Sequence, residues 1–153
     1  VSGLVEPRFV YPHLLVPDAA TIFARVGGDL ADAGRVRPSF VAALTAREQA
    51  YPTGLPVPGG VAIPHTDAEH VIADTICVLT LAEPVGFRSM GGPDDATIAV
   101  STVFLLALSR SQDHVTILPR IVRSIQDQTF LARLAASDDP AQIADLVNAA
   151  FSN

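Results

Sequence analysis

Four histidines occur, at positions 13, 65, 70 and 114, and each is weighed by its neighbours. His65 stands apart: Pro64 fixes the chain before it, Gly59 and Gly60 precede its short apolar run, and Thr66 and Asp67 follow directly. A neutral imidazole offers a lone pair at pH 7, which makes it a nucleophile toward phosphorus, and the N–P bond it forms is labile enough to release the group again. Such a carrier needs one group to hold the tautomer and cationic or N–H donors to meet the phosphoryl oxygens. Arg47 is the candidate cation, because a guanidinium is always charged and grips two oxygens at once. It falls in register with apolar residues of its helix, so it either snorkels to water or meets an anion; an ion pair with Glu48 or Asp67 is the purely structural reading. His114 follows Asp113 where a helix begins, beside backbone N–H groups suited to phosphate. A helix-cap histidine facing water fits that spacing equally well. His13, after Pro12 in an apolar stretch, has no charged neighbour and is read as incidental.

The run His65-Thr66-Asp67-Ala68-Glu69-His70 admits a rival chemistry. Two imidazoles and two carboxylates within six residues could ligate a metal, with His65, Asp67 and His70 holding zinc and an activated water doing hydrolysis. The spacing matches no strong metal motif, and the helical His-Glu-x-x-His arrangement is absent. The preferred reading therefore has no metal and no cofactor.

These residues need elements to hold them. Residues 8–16 are apolar and broken by Pro12, which predicts an edge strand or extended lead-in. Asp18 caps a helix whose Ile22, Val26 and Leu30 share a stripe, with Gly34 placed to stop it. A second helix follows Pro38, with Phe40, Ala43, Leu44 and Arg47 at i, i+3, i+4, i+7, and must end before Pro52. Pro and Gly recur through residues 51–60, so that stretch is a shaped loop. Residues 61–63 form a short strand ending at Pro64, which puts His65 where strand gives way to loop, a frequent place for chemistry.

Residues 72–81 alternate as a strand, 85–90 read as its neighbour, and Gly91, Gly92 and Pro93 break the pattern. Residues 98–108 are almost wholly apolar, as a strand covered on both faces would be, and form the expected centre of the sheet. A helix after Ser111 carries Val115, Leu118, Val122 and Ile125 on one face, and Pro119 either kinks it or begins its regular part. A short helix over residues 130–136 follows. The last has Asp139 as cap, Pro140 at its first position, Gln142 completing a box-like pair, and Ile143, Leu146, Val147, Ala150 and Phe151 as its apolar face. Helices flanking a mixed sheet, an α/β layered fold in one domain over residues 1–153, is the consistent summary.

Bulk properties limit the partners. The chain has 153 residues, 49% hydrophobic and 17% charged, enough for one continuous core. A formal charge of −6 leaves no general basic surface for nucleic acid or an anionic membrane. The longest apolar run is well short of the roughly 20 residues that span a bilayer, so no membrane insertion is expected. Cys77 is the only cysteine, which removes an internal disulfide and a cysteine-based metal cluster. With no leader pattern at its start, the chain is expected in the cytoplasm.

The pattern Arg47-Glu48-x-x-Tyr51-Pro52-Thr53-Gly54, followed by Gly60-Val61-Ala62-Ile63-Pro64-His65, resembles the EIIA domains of the fructose and mannitol phosphotransferase superfamily. Thr66-Asp67-Ala68-Glu69-His70 stands where many members have glycine after the histidine, which is similar to the galactitol-type branch. The resemblance implies a mixed-sheet α/β fold and phosphotransferase activity through a phosphohistidine at His65, with Arg47 and His114 completing the site. It also implies separate partners: a phosphorylated HPr-like carrier upstream, an EIIB component with an acceptor cysteine downstream, and a membrane EIIC component that moves the sugar. A regulatory protein that signals through the same phosphohistidine is the competing reading.

Overall fold

The computed structural model describes residues 4–91 and 96–152, with the side chains of residues 111–114 left aside. A short 3-10 turn at Pro7–Phe9 leads into β1 (Val10–Leu14). Helices α1 (Ala19–Asp32) and α2 (Phe40–Ala50) follow, then two very short strands, β2 (Gly54–Leu55) and β3 (Val61–Ala62). After a 3-10 turn at Ala68–His70 come the long strands β4 (Thr75–Arg88) and β5 (Thr97–Ala107). Three helices close the chain: α3 (Ser111–Ser124), α4 (Gln128–Ala136) and α5 (Pro140–Phe151).

The five strands form one mixed sheet in the order β1-β4-β5-β3-β2. The β1/β4 and β3/β5 pairs are parallel, and β4/β5 and β2/β3 antiparallel. The apolar run of β5 thus lies third of five. Its residues alternate between two cores, with Val103, Leu105 and Ala107 packing beside α1 and α2, and Phe104 and Leu106 packing beside α3, α4 and α5. Period-two geometry makes that division, and burial on both faces explains why the run shows no polar alternation. Phe104 is fully buried, with its ring centroid 5.4 Å from that of Phe151. Truncating Phe104 to alanine should cost about 3–5 kcal/mol, read as a lower denaturant midpoint with an unchanged m-value.

Local signals account for several boundaries. The Asp18 carboxylate accepts from the Thr21 N–H at 2.9 Å and opens α1, and Ile22, Val26 and Leu30 are buried as the stripe requires. At its other end Gly34 takes φ +74°, and the N–H groups of Gly34 and Arg35 bond to Ala31 and Leu30 carbonyls. That is a Schellman termination, which needs a residue without a Cβ penalty in the left-handed region. Pro12 is tolerated because β1 lies at the sheet's edge.

The structure departs from the sequence reading at several points. Residues 85–88 continue β4 rather than forming its neighbour, because β4 runs unbroken through an irregularity between Thr80 and Val85 and pairs with β5 along both parts. Residues 72–74 precede that strand. Among the described residues of α3 the buried side chains are Ile117 and Ile121, with Ile125 buried at the C-cap; of the expected stripe, Leu118 packs partly buried on the same core while Val115 and Val122 are exposed. Both stripes have helical spacing and share Ile125, so packing on the sheet, and not periodicity, chooses between them. Pro119 lies inside α3. The loop over residues 51–60 contains the two-residue strand β2. In α5 the Asp139 carboxylate caps the Ala141 N–H at 3.0 Å, but Gln142 accepts from the Ser137 hydroxyl instead of closing a box. Gly92 and Pro93 fall outside the described residues.

Candidate active site

The β3 segment delivers His65 to the sheet's rim. Pro64 has no N–H, yet its carbonyl accepts from the Leu106 N–H at 3.0 Å, and His65 forms an isolated parallel bridge with Leu106. The central strand therefore fixes the backbone on which the imidazole stands. Gly60 is needed just upstream: it takes φ +73°, and a Cβ there would run into the Ala99 carbonyl.

His65 is half-buried, and its Nδ1 lies 2.8 Å from the Ile63 carbonyl oxygen. A carbonyl only accepts, so the neutral ring carries its proton on Nδ1 and its lone pair on Nε2. The local turn thus selects the tautomer.

Arg47 stands in the last turn of α2, where its charge also suits the helix C-terminus. Its Nη1 lies 3.2 Å from Asp67 Oδ1, and its guanidinium carbon is 5.1 Å from the centroid of the Tyr51 ring. Of the two anions expected for it, Asp67 is the partner. Their side chains are 36% and 66% exposed, and an ion pair so open to water contributes about 0–1 kcal/mol. An incoming dianion can displace it at little cost. Arg47, Tyr51, His65, Arg88, Met90 and Leu118 line one cavity of about 520 Å³. Arg47 and His65 are thereby brought together.

Glu48, next in sequence, does something different. Its carboxylate takes both donors of Thr53, the N–H at 2.8 Å and the hydroxyl at 2.8 Å. Burial raises its pKa above the ordinary carboxylate value, while the two Thr53 hydrogen bonds and the charge of Arg88 oppose that rise.

Arg88 is a site residue that sequence reasoning missed. It closes β4, and the chain beyond it is drawn to the 51–60 loop: Ser89 bridges to Gly54, and the Met90 N–H donates to the Gly54 carbonyl at 2.8 Å. A Cβ on Gly54 would stand 2.6 Å from the Arg88 carbonyl, so the motif glycine is what permits this approach. The unbroken length of β4 was the missing signal, since it alone places position 88 near position 65.

The remaining histidines separate. His70 turns its Nδ1 to the Ser39 hydroxyl at 2.8 Å, while Asp67 is held by Arg47. Among the described residues no three His, Cys, Asp or Glu side chains gather closely enough to hold a metal ion. His13 lies on edge strand β1 with φ +52°, its N–H donating to Thr80 Oγ1 at 2.8 Å. The backbone of His114 lies in the first turn of α3, four residues before Leu118. Its side chain is outside the described residues. No helix among the described residues is long and apolar enough to cross a membrane.

The model of the family described as "Phosphoenolpyruvate-dependent sugar phosphotransferase system, EIIA 2" matches residues 4–150. The galactitol-specific EIIA component of Escherichia coli K12 is 28% identical over 127 residues, covering 82% of this chain and 83% of that protein. A multiphosphoryl transfer protein of Xanthomonas campestris pv. campestris is 34% identical over 142 residues, 91% of this chain but 16% of that protein. Among solved structures, the complex of mannitol enzyme IIA with phosphorylated enzyme IIB from Escherichia coli gives a TM-score of 0.75 at 20% identity, with 95% of this chain and 99% of that chain covered. The nitrogen regulatory protein IIA-Ntr of Neisseria meningitidis gives 0.72 at 22% identity, with 94% and 96% covered. At these identities the two structures show a shared fold.

Proposed function

Because the chain belongs to the EIIA 2 family of the phosphoenolpyruvate-dependent sugar phosphotransferase system, we propose that it is a phosphocarrier whose acceptor atom is Nε2 of His65. The observation that carries this reading is the 2.8 Å contact between His65 Nδ1 and the Ile63 carbonyl, at a cavity also lined by two arginines. The contact leaves Nε2 as the lone-pair nitrogen.

In the first half-reaction the Nε2 lone pair attacks phosphorus as the bond to the donor's nitrogen breaks, and that electron pair returns to the donor. Positive charge builds on the His65 ring, and Nδ1–H keeps its bond to the Ile63 carbonyl throughout. Arg47 exchanges Asp67 for the phosphoryl oxygens, and Arg88 adds a second cation; electrostatic stabilisation of this kind supplies much of the catalysis of phosphoryl transfer. In the second half-reaction an acceptor thiolate attacks phosphorus in line, the N–P bond breaks, and the pair returns to Nε2. The donor we assign is a phosphorylated HPr-like carrier, and the acceptor is the cysteine of an EIIB component that serves a membrane EIIC component. His114 belongs to the same proposal as a second imidazole at the start of α3.

The likeness to the galactitol-specific protein, with Thr66 to His70 after the acceptor histidine, favours a galactitol-type sugar. Phosphoenolpyruvate with the two general phosphotransferase proteins should load one acid-labile, base-stable phosphate per chain, and a cognate EIIB component should remove it. A chain that takes up no phosphate overturns the carrier reading. One that loads but does not discharge to the EIIB component overturns the transport role and leaves signalling by phosphorylation state.

A further inference from the structure

Thr53 and Glu48 stand behind the carbonyl that selects the His65 tautomer, and they have no place in the phosphoryl-binding argument. Thr53 is buried, and both its N–H and its hydroxyl are engaged. Its N–H and its hydroxyl both donate to Glu48, at 2.8 Å each. A hydroxyl has one hydrogen and two lone pairs. With its hydrogen committed to Glu48, Thr53 Oγ1 can present only a lone pair toward Ile63, and the Ile63 N–H donates to it at 3.3 Å.

Residue 63 is thus the middle link of a chain of hydrogen bonds from Glu48 to His65. Its N–H is tied to Thr53 Oγ1, and its C=O receives the proton of His65 Nδ1. The β2/β3 pairing stops at Gly54 and Ala62, so the Thr53 hydroxyl takes over where the backbone ladder runs out.

We infer that Glu48 and Thr53 are positioning residues for phosphoryl transfer, orienting the Ile63 backbone so that its carbonyl keeps His65 protonated on Nδ1 and nucleophilic at Nε2. The inference rests on the reading of His65 as the phosphoryl acceptor. Glu48 fixes the direction of the hydroxyl, the hydroxyl fixes Ile63, and Ile63 fixes the ring. The negative charge of Glu48 at the far end also favours the positive charge that grows on the imidazole during attack.

Thr53→Val keeps the side chain's shape and removes only the hydroxyl; Thr53→Ser restores it. In nitrogen-15 spectra of the whole chain, the wild-type His65 ring should show a protonated Nδ1 and an unprotonated Nε2. In Thr53→Val the Nε2-protonated form should rise severalfold, and the rate constant for accepting phosphate should fall about tenfold, in the range of a lost positioning hydrogen bond. Thr53→Ser should stay within about twofold of wild type in both. Glu48→Gln keeps one acceptor oxygen and sets an amide N–H where the other stood, so with the oxygen on the Thr53 N–H the hydroxyl must accept and its hydrogen turns away from residue 48; both readouts should move the same way. If Thr53→Val does not fold, Glu48→Gln carries the test. A wild-type tautomer and rate in the variant that folds, or a Thr53→Ser protein as impaired as Thr53→Val, overturns the inference. The tautomer measurement needs no phosphoryl donor, so failure of the carrier reading, seen as no phosphate uptake by the wild type, is distinguishable from failure of this inference, seen as an unmoved tautomer in the variants.

Discussion

Replacing His65 by alanine should abolish phosphate loading, with a loss limited only by the detection threshold of the assay. No other described histidine has a comparable setting. His70 is turned to Ser39 outside the cavity lining, and His13 lies on the far edge strand. Arginine cannot take the nucleophile's place, because a guanidinium offers no lone pair at neutral pH. The fold should survive the change. The His65 ring reaches the carbonyl two residues back, and the backbone bond from Leu106 to Pro64 does not depend on the side chain. Equal thermal midpoints for variant and wild type, with labelling lost, are the expected pair of results, measured by circular dichroism and by incorporation of phosphate from phosphoenolpyruvate.

Arg47→Ala should slow phosphoryl acceptance by about 10² to 10³, the usual effect of removing one preorganised donor from a developing anion. Stability should hardly move, since the ion pair it loses is exposed and contributes about 0–1 kcal/mol. That combination separates a phosphoryl-binding arginine from a structural one, because the structural role predicts the reverse pattern. Arg47→Lys should recover part of the rate through its charge, without the planar fork that grips two oxygens. Rapid-quench measurement of phosphate arriving from the phosphorylated donor gives the rates directly.

How legible these groups were depended on what positions each of them. His65 and Arg47 were readable because proline, glycine and helical spacing mark their places locally. The stripe of α1 and the apolar run of β5 were equally clear, one by period and the other by burial on both faces. Arg88 was not readable, because its position depends on β4 passing through the irregularity after Thr80 to pair with β5 on both sides. The face of α3 was ambiguous for a related reason. Two stripes one residue type apart were available, and only the position of the sheet shows that Ile117 and Ile121 go inward while Val115 faces out. As a mate for its neighbour Arg47, Glu48 is misplaced, because successive helical residues point about 100° apart, and the two side chains find different partners, Asp67 and Thr53. Thr53 stands in the Tyr-Pro-Thr-Gly motif, but its part in the site is not legible there, because it depends on Ile63, ten residues on and across a turn.

The ring nitrogen that carries the phosphate is the sharpest test of this account. Phosphorylated chain, labelled with nitrogen-15 and observed by nitrogen and phosphorus NMR, should show a single phosphohistidine at residue 65 with phosphorus on Nε2 and a proton retained on Nδ1. Phosphorus on Nδ1 of His65, or on any other histidine, would contradict it.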